Sequence, residues 1–146
     1  MLDTPMHGWS NIHIGEWSDR CSYLDDVAFM LLHAMIQSCP EHGPVSVKFD
    51  AEGWEYIIVF DWCETHIITE SGDGFELVTV NIDRDVLARE LLADVRRDVV
   101  AWAMFPSDDF DEPGIKEREI QLLALCDVLE KSIPSDDRFI KTDLIL

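Results

Sequence analysis

Between Lys48 and Arg84 the chain has no lysine or arginine, and the same interval holds nine aspartates and glutamates. Nucleic-acid binding runs on Lys and Arg contacts to phosphate, so this absence argues against direct nucleic-acid binding. It argues equally against an anionic membrane surface. The shortage extends to the whole chain: 146 residues carry 11 Lys and Arg against 30 Asp and Glu, a formal charge of -19. It is uneven. Residues 1–80 hold fourteen acids and two bases, Arg20 and Lys48; residues 81–146 hold sixteen acids and nine bases.

Other scarcities exclude other classes. The four cysteines, Cys21, Cys39, Cys63 and Cys126, are too scattered for a disulfide framework, and they point to reduced thiols in a cytoplasmic chain. The longest apolar run, in "VAFMLLHAMI", is interrupted by His33 and covers about half of a membrane span. The opening "MLDTPMHGWSN" lacks a basic region followed by an apolar stretch, so no secretory signal is expected there. No internal repeat or low-complexity linker occurs. Nor does a Walker A loop, a Gly-x-Ser-x-Gly elbow or a His-Glu-x-x-His helix.

What is present reads as a globular chain, with 47% hydrophobic and 28% charged residues. The length predicts a single domain over 1–146. "WSNIHIG" alternates as a short strand. "SYLDDVAFMLLHAMIQSC" has helical spacing, with Ser22 as cap and Asp25 three residues on in a capping-box position. "VSVKFD" and "WEYIIVFDW" alternate about a "DAEG" turn. On the second of these, Trp54, Tyr56, Ile58, Phe60 and Trp62 share one face, while Glu55, Ile57, Val59 and Asp61 share the other. The alternation breaks at Glu64, which predicts a bulge or turn near Trp62–Glu64. "THIITE" and "FELVTV" flank "SGDG", a hairpin signal. After Asn81 the period turns helical: Leu87, Leu91, Val95, Val99 and Trp102 predict one helix up to Pro106, and Pro113 suits the first turn of another that runs to about Ser132. "FIKTDLIL" predicts a last strand or a docked tail. The fold class is α+β, an antiparallel sheet of about four to five strands with helices packed mainly on one face.

Four constellations bear on chemistry. Cys39-Pro-Glu-His42 and Cys63-Glu-Thr-His66 both have Cys-x-x-His spacing, which zinc accepts. In an extended segment, however, Cys63 and His66 point to opposite faces, so no metal is expected. Asp50, Asp61, Glu64 and His66 are the residues a metal-dependent hydrolase would use. Phosphate chemistry would also need cations, and Lys48 stands alone. "SDDFDEPG" is rich in acids but lacks the spaced order of a calcium loop, so it reads as a solvated loop. The acid-rich sheet region is the most specific feature. Solubility needs excess charge but not the exclusion of bases from one sheet, and like charges on neighbouring strands are mildly destabilising. Such a region suits a cationic partner, because opposite potential speeds encounter and fixes register. The expected partner-binding residues are Asp50, Glu52, Glu55, Asp61, Trp62, Glu64, Glu70, Asp73 and Glu76. Trp62 would be an aromatic anchor or a core residue.

The segments "HGW" at His7–Trp9 and "SYLDDV" at Ser22–Val27 resemble pieces of the immunity proteins of bacterial polymorphic toxin and contact-dependent inhibition systems. The resemblance implies a cytoplasmic, non-enzymatic protein without cofactor, which binds one cognate toxin domain and blocks its active site or substrate groove. Many such toxins are nucleases with basic clefts. No residue role carries over. Two other expectations stand beside it: a nucleic-acid mimic that inhibits a restriction or CRISPR component, and the metal-dependent hydrolase already described.

Overall fold

The computed structural model describes residues 1–38 and 42–134. Two antiparallel strands, β1 (Trp9–Ile14) and β2 (Trp17–Ser22), form a hairpin. Helix α1 (Val27–Gln37) follows. Then come β3 (Val45–Asp50), β4 (Glu55–Phe60), β5 (Thr65–Ser71) and β6 (Gly74–Val80), paired in sequence order as a four-stranded antiparallel meander. Helices α2 (Arg84–Arg97), α3 (Val99–Met104) and α4 (Glu112–Ser132) complete the described chain. This is the expected α+β class with a four-stranded sheet. The tail "FIKTDLIL" lies outside the described residues, as does Cys39 of the first Cys-x-x-His pair.

The meander has one face committed to the core. The register brings Val45, Val47 and Phe49 opposite Phe60, Ile58 and Tyr56, and continues to Thr65, Ile67 and Thr69. Phe49, Tyr56, Ile58, Phe60 and Ile67 are fully buried. The β1–β2 hairpin crosses this face. At its tip, Gly15 lies so close to β6 that an added Cβ would meet Val80 Cγ1 at 2.8 Å, and its φ of +60° also favours glycine. Trp17 meets Tyr56 edge-on, and Ser22 Oγ donates to the Asp50 carbonyl. Buried residues of α1, α2 and α4, such as Leu31, Leu91 and Leu122, join the same core.

Two helix boundaries differ from expectation. Ser22 ends β2 and is buried; its hydroxyl accepts from Leu24 N–H in a local turn, and α1 starts only at Val27 with Asp26 before it. The stretch "SDRCS" was free to extend because Cys21 and Ser22 gain burial as a strand partner of β1, which outweighs the capping pattern. The second helix is broken at Asp98 (φ -127°), so α2 and α3 are separate although their apolar stripe is continuous. Trp102 is buried on that stripe.

Candidate functional site

In the meander, every residue that points away from the core lies on a face that the core does not cover. Three rows cross it. Ser46, Val59, His66 and Thr79 make one; Lys48, Ile57, Ile68 and Leu77 make the next. In the third, Asp50 pairs with Glu55, Glu70 pairs with Phe75, and the β4–β5 register sets Glu55 beside Glu70 one step past Tyr56–Thr69. The middle of this outer face is apolar. Beside it on the edge strand β6, Phe75 is 75% exposed and Leu77 64% exposed. Ile57, Val59 and Ile68 are half-buried by their neighbours on the sheet and take no part in packing against the core.

The acids crowd one end. The β3–β4 turn and the β5–β6 turn lie at the same end of the meander, and they bring Asp50, Glu52, Glu55, Glu70 and Asp73 together there. Glu76 is close by, exposed on the other side of β6. Two cations lie among them: Arg20 of β2 donates through Nε to the Ala51 carbonyl and through Nη2 to the Glu52 carbonyl, and Lys48 stands on β3. Lys48 Nζ lies 2.6 Å from Glu55 Oε2, and Glu55, with Glu70 and Asp50 behind it, holds the ammonium pKa above its usual value. Asp25, just ahead of α1, joins this end: Asp50 N–H donates to Asp25 Oδ2 at 2.7 Å. Burial, followed by the charges of Asp50 and Glu55, pushes the Asp25 carboxyl above its usual range despite that hydrogen bond.

The expected site residues therefore divide. Asp50, Glu52, Glu55, Glu70, Asp73 and Glu76 gather at one end. Asp61, Trp62 and Glu64 sit in the β4–β5 turn at the other end, a strand length of roughly 20 Å away. That second group is organised by the chain itself. Asp61 Oδ1 accepts from Trp62 N–H at 2.7 Å, Asp61 N–H donates to the Glu64 carbonyl, and Arg84 N–H donates to the Trp62 carbonyl at 3.2 Å. Trp62 is 53% exposed, so the ring at the pattern break is outside the core.

The same separation bears on the hydrolase set, since Asp50 is remote from Asp61 and Glu64. His66 is engaged across the sheet, with Nδ1 2.9 Å from Thr79 Oγ1 and Nε2 3.5 Å from Glu64 Oε2. Among the described residues no group of three or more His, Cys, Asp and Glu side chains could hold a metal ion. Cys21 is buried, and burial pushes its thiol up to about 12, far from a reactive thiolate. A concave pocket of about 810 Å³ lies apart from the sheet, between Pro5, His7, Tyr23, Met104 and Asp108, and contains none of the expected site residues.

The cations of the helices are used elsewhere. Arg84 pairs with Asp85, Arg96 with Asp127 and Glu130, Arg97 with Asp94 and Asp98, and Arg118 with Asp26. Arg20, on β2, is different: it is held between the rings of Trp9 and Trp54, at 4.7 and 4.2 Å from their centroids, and it donates to the Ala51 and Glu52 carbonyls at the acidic end without an ion pair to a carboxylate of the described residues there. In no ion pair of the described residues does an arginine meet Asp50, Glu52, Glu55, Glu70, Asp73 or Glu76. Sequence reasoning named these acids but missed the apolar centre. Its signal was present in the outward alternation of Ile57, Val59, Ile68, Phe75 and Leu77.

Comparison with known proteins finds no family model that matches the chain, no similar curated protein and no matching solved structure. Among the described residues, no helix is long and apolar enough to cross a membrane.

Proposed function

We propose that this is a non-catalytic binding protein whose outer sheet face engages a basic surface on a partner protein, and that the partner is a cognate toxin domain which it neutralises. One observation carries the reading. Among the described residues nothing covers a sheet face that has the half-buried aliphatics Ile57, Val59 and Ile68 at its centre, exposed Phe75 and Leu77 on its edge strand, and Asp50, Glu55 and Glu70 along one border, none of them in an ion pair with an arginine. An apolar centre beside a charged border is the anatomy of a protein–protein interface: the centre supplies buried area, and the border sets encounter rate and register. Burying Phe75 and Leu77 fully would be worth roughly 1.5–3 kcal/mol each. The apolar centre also favours a protein partner of ordinary surface over mimicry of a phosphate backbone, which needs carboxylates spaced along the whole face. The resemblance to immunity proteins supports a toxin as that partner.

The test uses the wild-type chain and a Glu55→Lys/Glu70→Lys variant as baits for a basic protein from the source cell, at low and at high salt. The reading expects one basic protein, retained at low salt, released by salt, and lost on the double reversal. A partner retained equally by both baits would overturn it.

A further inference from the structure

Among the described residues the sheet has two edges without a strand partner, β3 and β6, and they are not alike. In an antiparallel ladder, alternate residues turn their N–H and C=O groups toward the neighbouring strand, and the residues between them turn theirs away. The β3–β4 turn closes on Ala51 N–H to the Trp54 carbonyl, so Asp50, Lys48 and Ser46 turn their backbone groups to the open side of β3. The structure agrees: Asp50 N–H donates to Asp25 Oδ2, and its carbonyl accepts from Ser22 Oγ. That edge is capped at Asp50 and carries a lysine, two devices by which natural sheets blunt their edges.

The same count on the other edge gives the opposite result. Gly72 and Asp73 form a two-residue turn between the paired Ser71 and Gly74, and Gly72 has φ +57°. Glycine first in a two-residue turn is the II′ pattern, whose flanking pair is hydrogen-bonded. Glu76 and Val78 then face β5, while Phe75, Leu77 and Thr79 turn their backbone groups outward. Among the described residues no strand pairs with β6 on that side. β6 has no lysine and no proline, no carboxylate of the described residues caps its outer edge, and its outer-face Phe75 and Leu77 are the two most exposed apolar residues of the face.

We infer that the open edge of β6 receives an extended segment of the partner as a fifth strand, one that carries Lys or Arg opposite Glu76 and apolar side chains beside Phe75 and Leu77. This rests on the proposed acidic binding face and specifies how the partner meets it. Strand addition takes its affinity from main-chain hydrogen bonds and its specificity from alternate side chains. Here β6 sets the alternation itself, since Phe75 and Leu77 lie on the outer face and Glu76 on the other. Charge selects the partner over a second copy, because two chains of formal charge -19 would repel along an edge that ends in Asp73 and Glu76.

The experiment titrates the full chain with a nine-residue peptide alternating Lys and Val, and follows amide hydrogen exchange by NMR. The expected result is binding, with exchange at Phe75, Leu77 and Thr79 slowed at least about tenfold and Ser46 and Lys48 unchanged. A peptide N-methylated at every second residue should bind in one methylation phase and fail in the other. The Glu55→Lys/Glu70→Lys variant separates the two claims. Binding that needs those carboxylates but leaves the β6 amides exchanging freely overturns the strand inference alone. Protection of the β6 amides that survives the double reversal and is lost in Glu76→Lys overturns the acidic-face reading and leaves the strand inference standing. Protection of Phe75, Leu77 and Thr79 in the free protein, whether concentration-dependent from a second copy or constant from within the chain, overturns the inference as well.

Discussion

The two faces of the meander use nearly the same aliphatic residues and meet opposite fates. On the inner face Ile58 and Ile67 are fully buried beneath the hairpin and helices, beside Phe49, Tyr56 and Phe60. On the outer face Ile57 and Ile68 form a row with Leu77, and Phe75 stands open to solvent. An antiparallel sheet solvated on one side normally alternates apolar with polar residues. This one keeps apolar residues on both sides of β4 and β5 and places charge mainly at one end. The outer face is therefore not an ordinary solvated sheet surface. The proposed interface would use these apolar residues for buried area and the acids at its end to select a cationic partner.

The comparison can be broken most directly by truncation. Ile58→Ala removes buried methyl groups from a packed site and should cost about 3 kcal/mol in urea denaturation. Ile68→Ala, one strand over and on the opposite face, should cost less than about 1 kcal/mol. Equal losses would mean that the outer row is packed as tightly as the inner one, and the distinction between the faces would fall.

How legible this was depends on the range of the interaction. The inner face was legible because strand periodicity is local: Tyr56, Ile58 and Phe60 alternate, and the break at Glu64 marks a turn that leaves Trp62 exposed. The acids were legible as a set but not as a place. Asp61 and Glu64 are near Glu55 in sequence, yet a full strand puts them at the other end of the sheet. Arg84 was not legible at all. It is 2% exposed, and its guanidinium donates to the Met35 carbonyl, Ser38 Oγ, Asp85 Oδ1 and Ser132 Oγ, which ties the end of α1 to α2 and α4. Three of those partners are more than 45 residues away, and no local pattern announces them. The break at Asp98 was hidden for a related reason, since the apolar stripe crosses it without interruption.

A single charge reversal at the acidic border separates a role in folding from a role in binding. Glu55 and Glu70 lie side by side on adjacent strands, and directly opposed like charges are destabilising. Glu70→Lys converts that pair to one of opposite sign but gives up the attraction of Glu70 for Lys48, so the net gain should be no more than about 0.5 kcal/mol, read as an upward shift of Tm. The same change should weaken capture of the basic partner. Stability that falls, or capture that holds, would show that Glu70 serves the fold rather than the interface.

An effect of similar size concerns Asp25, which lies where the acidic end meets the core. Burial, then the charges of Asp50 and Glu55, raise its carboxyl pKa above the ordinary value of 3.8. A group whose pKa is raised by folding favours the folded state when protonated. That contribution is complete below the unfolded pKa and is lost as pH rises through the folded one. At pH 7 the wild type therefore bears the cost of an ionised, part-buried Asp25. Asp25→Asn removes the charge and keeps an oxygen to accept from Asp50 N–H. It should raise stability at pH 7 by about 0.5 kcal/mol. The advantage should shrink as pH falls through the raised pKa and level off below 3.8. Thermal denaturation of both proteins from pH 7 to pH 3 reads this difference. An advantage that stays constant with pH would mean that the gain comes from packing, and that the acids at this end of the sheet do not press on Asp25.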